Sequence, residues 1–144
     1  MCGITGIYSI KKVDLLEKRI DKMNKSIFHR GPDAGSYYLK NNKLALGHRR
    51  LSIIDKRAIS NQPMSSKSGR WDVVFNGEIY NFGVIKKDLD YSFKTHSDTE
   101  VILAAVEKKG INWFLDKANG MFAIALFDNL MNQLYLIRDR LGIK

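Results

Sequence analysis

An α+β fold built on antiparallel sheets is what this chain of 144 residues predicts. Three observations carry the prediction. Strand-like stretches cluster toward both ends with the helical ones between them, so the strand–helix–strand rhythm of a parallel sheet is missing. Two pairs of strand-like stretches flank short asparagine-bearing segments, the pattern of hairpins. Length and composition, 44% hydrophobic and 27% charged, are those of one domain with enough apolar residues to bury a core.

GITGIYS, from Gly3, reads as a short buried strand of β-branched and aromatic residues. VDLLEKRIDKMNKSIF then places Leu15, Leu16, Ile20, Met23 and Ile27 at helical spacing with charges between them, an amphipathic helix. It stops before HRGPD, where Gly31 and Pro32 forbid continuation. SYYLK and KLALGHRRLSI flank Asn41-Asn42 and form the first hairpin. Lys56 to Arg70, with Pro63, Gly69 and several serines, reads as a long loop, and long loops in compact domains often carry function. WDVVFNGEIYNF is a strand expected to turn at Asn76-Gly77 and pass into a short helix through Lys87. THSDTEVILAAVEKKG has the strongest helix signals: Ser97 and Glu100 as a capping box, apolar residues from Val101 to Val106, and Gly110 as a stop. GMFAIALFD and NQLYLIRD alternate around Asn129 to Asn132 as a second hairpin.

The single cysteine, Cys2, excludes a disulfide framework within the chain and any zinc-finger spacing, and it suits a reducing compartment. Lysines follow the apolar start instead of preceding it, the wrong polarity for a signal peptide, and no run reaches membrane-span length. A cytoplasmic protein is the expectation. The formal charge of +9 raises nucleic acid as a partner, but the basic residues are scattered singly and in pairs, with no stripe and no arginine-rich arm. No nucleic-acid or membrane partner is expected. His29, His48 and His96 show no metal-ligand spacing, and the glycines fit no phosphate loop. Neither a metal nor another cofactor is expected.

Cys2 admits two readings. A lone cysteine is commonly a small buried hydrophobe. Removal of Met1 would instead leave, on one residue, a thiol and an α-amine of nearly matched strength, the combination an N-terminal nucleophile needs. Such a nucleophile needs an oxyanion hole and a substrate clamp. Asn76 and Gly77 suit the first through a side-chain amide and an unobstructed backbone N–H, although Asn-Gly is equally a common turn. For the clamp, Arg49 and Arg50 end a strand, so alternation lets at most one face a site, where it would grip a carboxylate; surface charge is the plain alternative. Asp98, in a first helical turn, suits either the helix dipole or a bound ammonium, and Glu78 is ambiguous in the same way.

Taken in order, MCGITGIY, HRGPD, GHRRLSIID, FNGEIYN and SDTEVIL resemble the class II glutamine amidotransferase domain, nearest to that of glutamine-hydrolysing asparagine synthetases. GMFAIALFD and RDRLGIK extend the resemblance over essentially the whole chain, residues 1–144. The resemblance implies a four-layer αββα sandwich of N-terminal-nucleophile hydrolases. It implies that Cys2, freed of Met1, attacks the glutamine side-chain amide, with its own α-amine relaying the proton. Asn76 and Gly77 correspond to the oxyanion hole, Arg50 to the carboxylate-binding arginine and Asp98 to the ammonium-binding residue. Glu78 and the backbone of Leu51, Ser52, Ile53 and Ile54 complete the implied pocket, and Arg49 fills a position the family does not hold to arginine. Glutamate and ammonia are the implied products, through a γ-glutamyl thioester.

The family continues beyond RDRLGIK into a synthetase domain that uses ATP and magnesium, whereas this sequence stops at Lys144. A glutaminase half separated from its synthetase partner domain is therefore expected. A competing expectation is a fragment that keeps the fold and binds glutamine without turnover. The sequence leaves the oligomeric state open.

Overall fold

The computed structural model describes residues 2–53 and 55–144. Its elements run β1 (Gly3–Tyr8), α1 (Leu16–Ser26), β2 (Ala34–Lys40), β3 (Leu44–Arg50), β4 (Met64–Ser65), β5 (Trp71–Ile79), α2 (Phe82–Lys87), α3 (Asp98–Lys109), α4 (Ile111–Lys117), β6 (Gly120–Asp128) and β7 (Gln133–Arg138). Two antiparallel sheets form, in the orders β1-β3-β2 and β4-β5-β6-β7.

Alternation along the strands sorts the side chains into layers. On β3, Leu44 and Leu46 meet Val74, Ala125 and Phe127 of the second sheet, while Ala45 turns outward to Leu16 and Ile20 of α1. On β5 and β6, Val73, Phe75, Phe122, Ile124 and Leu126 face α2, α3 and α4. The order is helix, sheet, sheet, helices: the expected αββα sandwich. Helix α3 is buried on every side from Asp98 to Val106 because sheet, α2 and α4 all pack on it.

Asn41 and Asn42 both adopt positive φ, and Lys43 donates its N–H to the Lys40 carbonyl (2.9 Å), a type I′ turn whose twist matches the flanking strands. β6 and β7 form the second hairpin, where Asp128 accepts from the N–H groups of Leu130 and Met131 and pairs with Arg70.

Several expectations need correction. β1 is an edge strand, half-exposed rather than buried, with Tyr8 open to solvent. Helix α1 starts only at Leu16, because Leu15 takes a left-handed conformation (φ 54°) and points outward. Asn76-Gly77 makes no turn: β5 runs straight through to Ile79, paired residue by residue with β6. The dipeptide signal was overridden by the long partner strand. The capping box of α3 is half formed. Ser97 Oγ accepts from the Glu100 N–H (3.4 Å), but the Glu100 carboxylate reaches past Ser97 to the N–H groups of Lys94 and Thr95. The loop from Lys56 contains a 3₁₀ turn (Ala58–Ser60) and the short β4. Helix α4 has no counterpart in the sequence reading, being short and preceded by Gly110 without a side-chain cap.

Candidate active site

The β5 edge organises the site. β4 pairs with β5 only as far as Val73, leaving the rest of that edge without a partner strand. The N–H and C=O groups of alternate residues point toward it. At Phe75 the N–H donates to Gln62 Oε1 (2.6 Å), and the C=O accepts from His48 Nε2 (3.2 Å). At Ile79 the N–H donates to Asp98 Oδ2 (3.1 Å). Gly77 lies between them, and among the described residues no side chain takes its N–H. A Cβ at Gly77 would collide with the Met121 carbonyl oxygen and lie 2.7 Å from Phe122 Cα, and its φ of 154° disfavours other residues. Tight strand pairing therefore demands glycine at the point where an edge N–H remains available.

In front of this edge lies a cleft of about 100 Å³. Of the residues expected at a site, Cys2, Arg50, Leu51, Ile53, Asn76, Gly77 and Glu78 line it. Ser52 does not; its N–H donates to Asp33 Oδ2 (2.7 Å). Asp98 sits just behind, between the lining residues Ser97 and Thr99. Ile54 lies outside the described residues. Larger hollows exist elsewhere, one of about 380 Å³ beside Lys12, Lys40 and Lys43, but none gathers these residues.

Cys2 precedes β1, whose pairing with β3 sets Gly3 opposite Arg49 and so brings the thiol to the end of β3. The Leu51 N–H donates to Sγ (3.4 Å), and the thiol approaches the Leu51 carbonyl (3.6 Å). Asn76 lines the cleft, and its buried amide oxygen has no hydrogen-bond partner among the described residues. An unused buried polar atom of that kind is costly unless a ligand answers it.

The two arginines divide as alternation requires. Arg49 faces away from the cleft, donating to the Gly31 carbonyl (2.9 Å) with its guanidinium over the Phe28 ring. Arg50 is buried on the cleft side. Its Nη1 donates to the Arg57 carbonyl (3.1 Å) and Asn61 Oδ1 (2.6 Å), and its Nη2 donates to the Asp55 carbonyl. A guanidinium has five N–H groups. Among the described residues three are committed, which leaves Nε–H and one Nη2–H for a carboxylate.

Burial pushes the Asp98 carboxyl up from its ordinary 3.8 to about 6, and the neighbouring Glu78 charge pushes the same way, against the N–H groups of Ile79 and Thr99. His48 moves down to about 4 because it is buried between the sheets. Its role is to hold Phe75.

Two features escaped the sequence reading. HRGPD supports the end of β3: a Cβ at Gly31 would strike the Arg49–Arg50 peptide, and the Asp33 N–H donates to the Arg50 carbonyl (3.1 Å). Gly-Pro-Asp after a helix was the available signal. Gln62, inside the long loop, binds Phe75 and donates to Thr99 Oγ1 (3.1 Å). No local pattern marks it.

Four layers, with a thiol-bearing residue at the head of the first strand and an open sheet edge before it, define a sandwich of the N-terminal-nucleophile hydrolase type. The glutamine amidotransferase domain family matches residues 1–144, and the chain belongs to it. It is 40% identical over 148 residues to asparagine synthetase (glutamine-hydrolyzing) 2 of Bacillus subtilis, covering 100% of this chain and 19% of that protein. With asparagine synthetase B (glutamine-hydrolyzing) of Escherichia coli the identity is 40% over 147 residues, 99% of this chain and 26% of the relative. The amidase chry2 of Gibberella zeae is 39% identical over 135 residues, 92% of this chain and 19% of the relative. The chain thus spans 19–26% of the length of these relatives. Among the described residues, no helix is long and apolar enough to cross a membrane.

Proposed function

We propose that this domain hydrolyses the side-chain amide of glutamine, with Cys2 as the nucleophile once Met1 is removed. The observation that carries the reading is the juxtaposition, in one cleft, of the Cys2 thiol, the half-committed Arg50 guanidinium and the β5 edge at Asn76-Gly77. Glutamine is a zwitterion at its α-carbon and a neutral amide at its far end, and the cleft offers a group for each part. The two free N–H groups of Arg50 suit the α-carboxylate. Ionised Asp98, with Glu78 nearby, suits the α-ammonium. The thiol lies beside Leu51, within reach of the amide carbon.

The steps follow from those assignments. The α-amine of Cys2 takes the thiol proton as sulfur attacks the amide carbon. Negative charge gathers on the former carbonyl oxygen, where the Gly77 N–H and an Asn76 amide N–H are available to it. The protonated amine then delivers its proton to the leaving nitrogen, so the C–N bond breaks as ammonia departs and the γ-glutamyl thioester remains. Attack by water, with the amine again as base, releases glutamate and regenerates the thiol.

By the names of the two synthetases, the ammonia would serve asparagine synthesis, with aspartate as the proposed acceptor. ATP and magnesium would be bound by a further domain and take no part in this half-reaction. The cytoplasm is the setting that suits such an enzyme and a free thiol.

Glutamate release from glutamine by the purified protein, with intact mass reporting loss of Met1, tests the reading. Cys2→Ala should abolish release while leaving the circular-dichroism spectrum unchanged. Continued turnover in that variant overturns the assignment of the nucleophile.

A further inference from the structure

The first turn of α3 and the segment before it carry three hydroxyls, and their protons can be traced one by one. Thr95 Oγ1 donates to Glu100 Oε2 (2.7 Å), an acceptor only, so its proton is spent. Ser97 Oγ lies 2.9 Å from Thr95 Oγ1. With the Thr95 proton committed, Ser97 is the donor in that pair. Thr99 differs. Gln62 Oε1 is fixed as an acceptor by the Phe75 N–H (2.6 Å), so the amide presents Nε2 to Thr99, and Thr99 Oγ1 accepts from it at 3.1 Å. The Thr99 proton has no acceptor among the described residues. A threonine within a helix commonly turns that proton to the carbonyl four residues back, and this one does not. Yet Thr99 is 3% exposed and lines the cleft.

A buried hydroxyl held as acceptor on one side, with its proton facing a small cleft, is built to donate to a ligand. We propose that Thr99 is a further substrate-binding residue, whose hydroxyl donates to the α-carboxylate of the bound amino acid beside the Arg50 fork. The proposal rests on the glutamine reading and deepens it. Two observations select the carboxylate over the side-chain amide. Thr99 follows Asp98, the residue assigned to the α-ammonium, and its partner Gln62 is the chain neighbour of Asn61, whose Oδ1 accepts from Arg50 Nη1 (2.6 Å). The start of α3 also carries the partial positive charge of the helix dipole, which favours an anion.

The test compares Thr99→Val, Thr99→Ala and Thr99→Ser with the unsubstituted protein. Two constants are measured: KM for glutamine, and the glutamine concentration that half-protects Cys2 from iodoacetamide, which needs no turnover. A hydrogen bond to a charged group is worth roughly tenfold to a hundredfold in affinity. Valine and alanine should therefore raise both constants by about that factor, leaving kcat and the unprotected alkylation rate within about twofold. Serine should restore both constants, and glutaminamide, which lacks the carboxylate, should protect the valine variant and the unsubstituted protein equally. Unchanged constants in the valine and alanine variants, or a serine variant as impaired as they are, overturn the role of the hydroxyl. If the unsubstituted protein shows neither turnover nor protection by glutamine, the glutamine reading falls and takes this inference with it.

Discussion

Replacing Asp98 by asparagine should make the empty domain more stable while removing its hold on glutamine. The carboxyl is 5% exposed, and burial raises it from 3.8 to about 6. A rise of that size corresponds to about 3 kcal/mol against the charged form. The sign follows from proton binding. Between pH 4 and 6 the folded state holds a proton that the unfolded state has lost, so stability declines as pH rises through that window. Above pH 7 the full cost is present; below pH 4 both states are protonated and it vanishes. Asparagine is neutral throughout, and its carbonyl can still accept the Ile79 N–H (3.1 Å in the native protein), though less strongly than a carboxylate. The rise to about 6 is already net of that hydrogen bond; allowing about 1 kcal/mol for burying the additional N–H of the amide, the variant should gain about 2 kcal/mol at pH 8. In a domain of this size that is a rise of roughly 4–8 °C in melting temperature, shrinking to little or nothing at pH 4. The assay is thermal unfolding from pH 4 to 8, with and without saturating glutamine. Glutamine should raise the native melting temperature at pH 8, progressively less below pH 6, and should not shift that of the variant. A variant less stable than native at pH 8, a gain undiminished at pH 4, or a glutamine shift that survives the substitution would refute the reasoning.

Two further outcomes are expected. Gly77→Ala places a methyl against the Met121 carbonyl and Phe122 Cα at a φ of 154°, so it should cost about 3 kcal/mol or more from overpacking and strain together; a melting temperature within 2 °C of native would contradict the tight β5–β6 approach. Arg50→Lys keeps the charge but loses the fork that serves the Asp55 and Arg57 carbonyls and the ligand together, so KM for glutamine should rise at least tenfold, and an unchanged KM would place the carboxylate elsewhere.

Asp98 also illustrates how far the sequence reached. Its position in a first helical turn was legible from Ser97, Asp98 and Glu100, but its burial was not, because burial arises from α2, α4 and β5 closing around α3. The type I′ turn at Asn41-Asn42 and the alternation that separates Arg49 from Arg50 were both readable, since each depends on near neighbours in the chain. Asn76-Gly77 misled as a turn for the complementary reason. Nine paired positions with β6 outweigh the local preference of a dipeptide.

What the sequence determined by itself was the fold class, the two hairpins, the solitary thiol at residue 2 and the order of the motifs, all properties of local pattern and residue chemistry. Only the tertiary structure decided which groups share the cleft and which remain unspent. Gln62, His48 and Asp98 reach the β5 edge from a loop, the other sheet and a distant helix: Gln62 and Asp98 take the N–H groups of Phe75 and Ile79, His48 donates to the Phe75 carbonyl, and among the described residues the Gly77 N–H between them is taken by no side chain. Satisfaction of buried polar groups is a global account: it closes only when the whole chain has folded, so the donors left over for a ligand become countable only then.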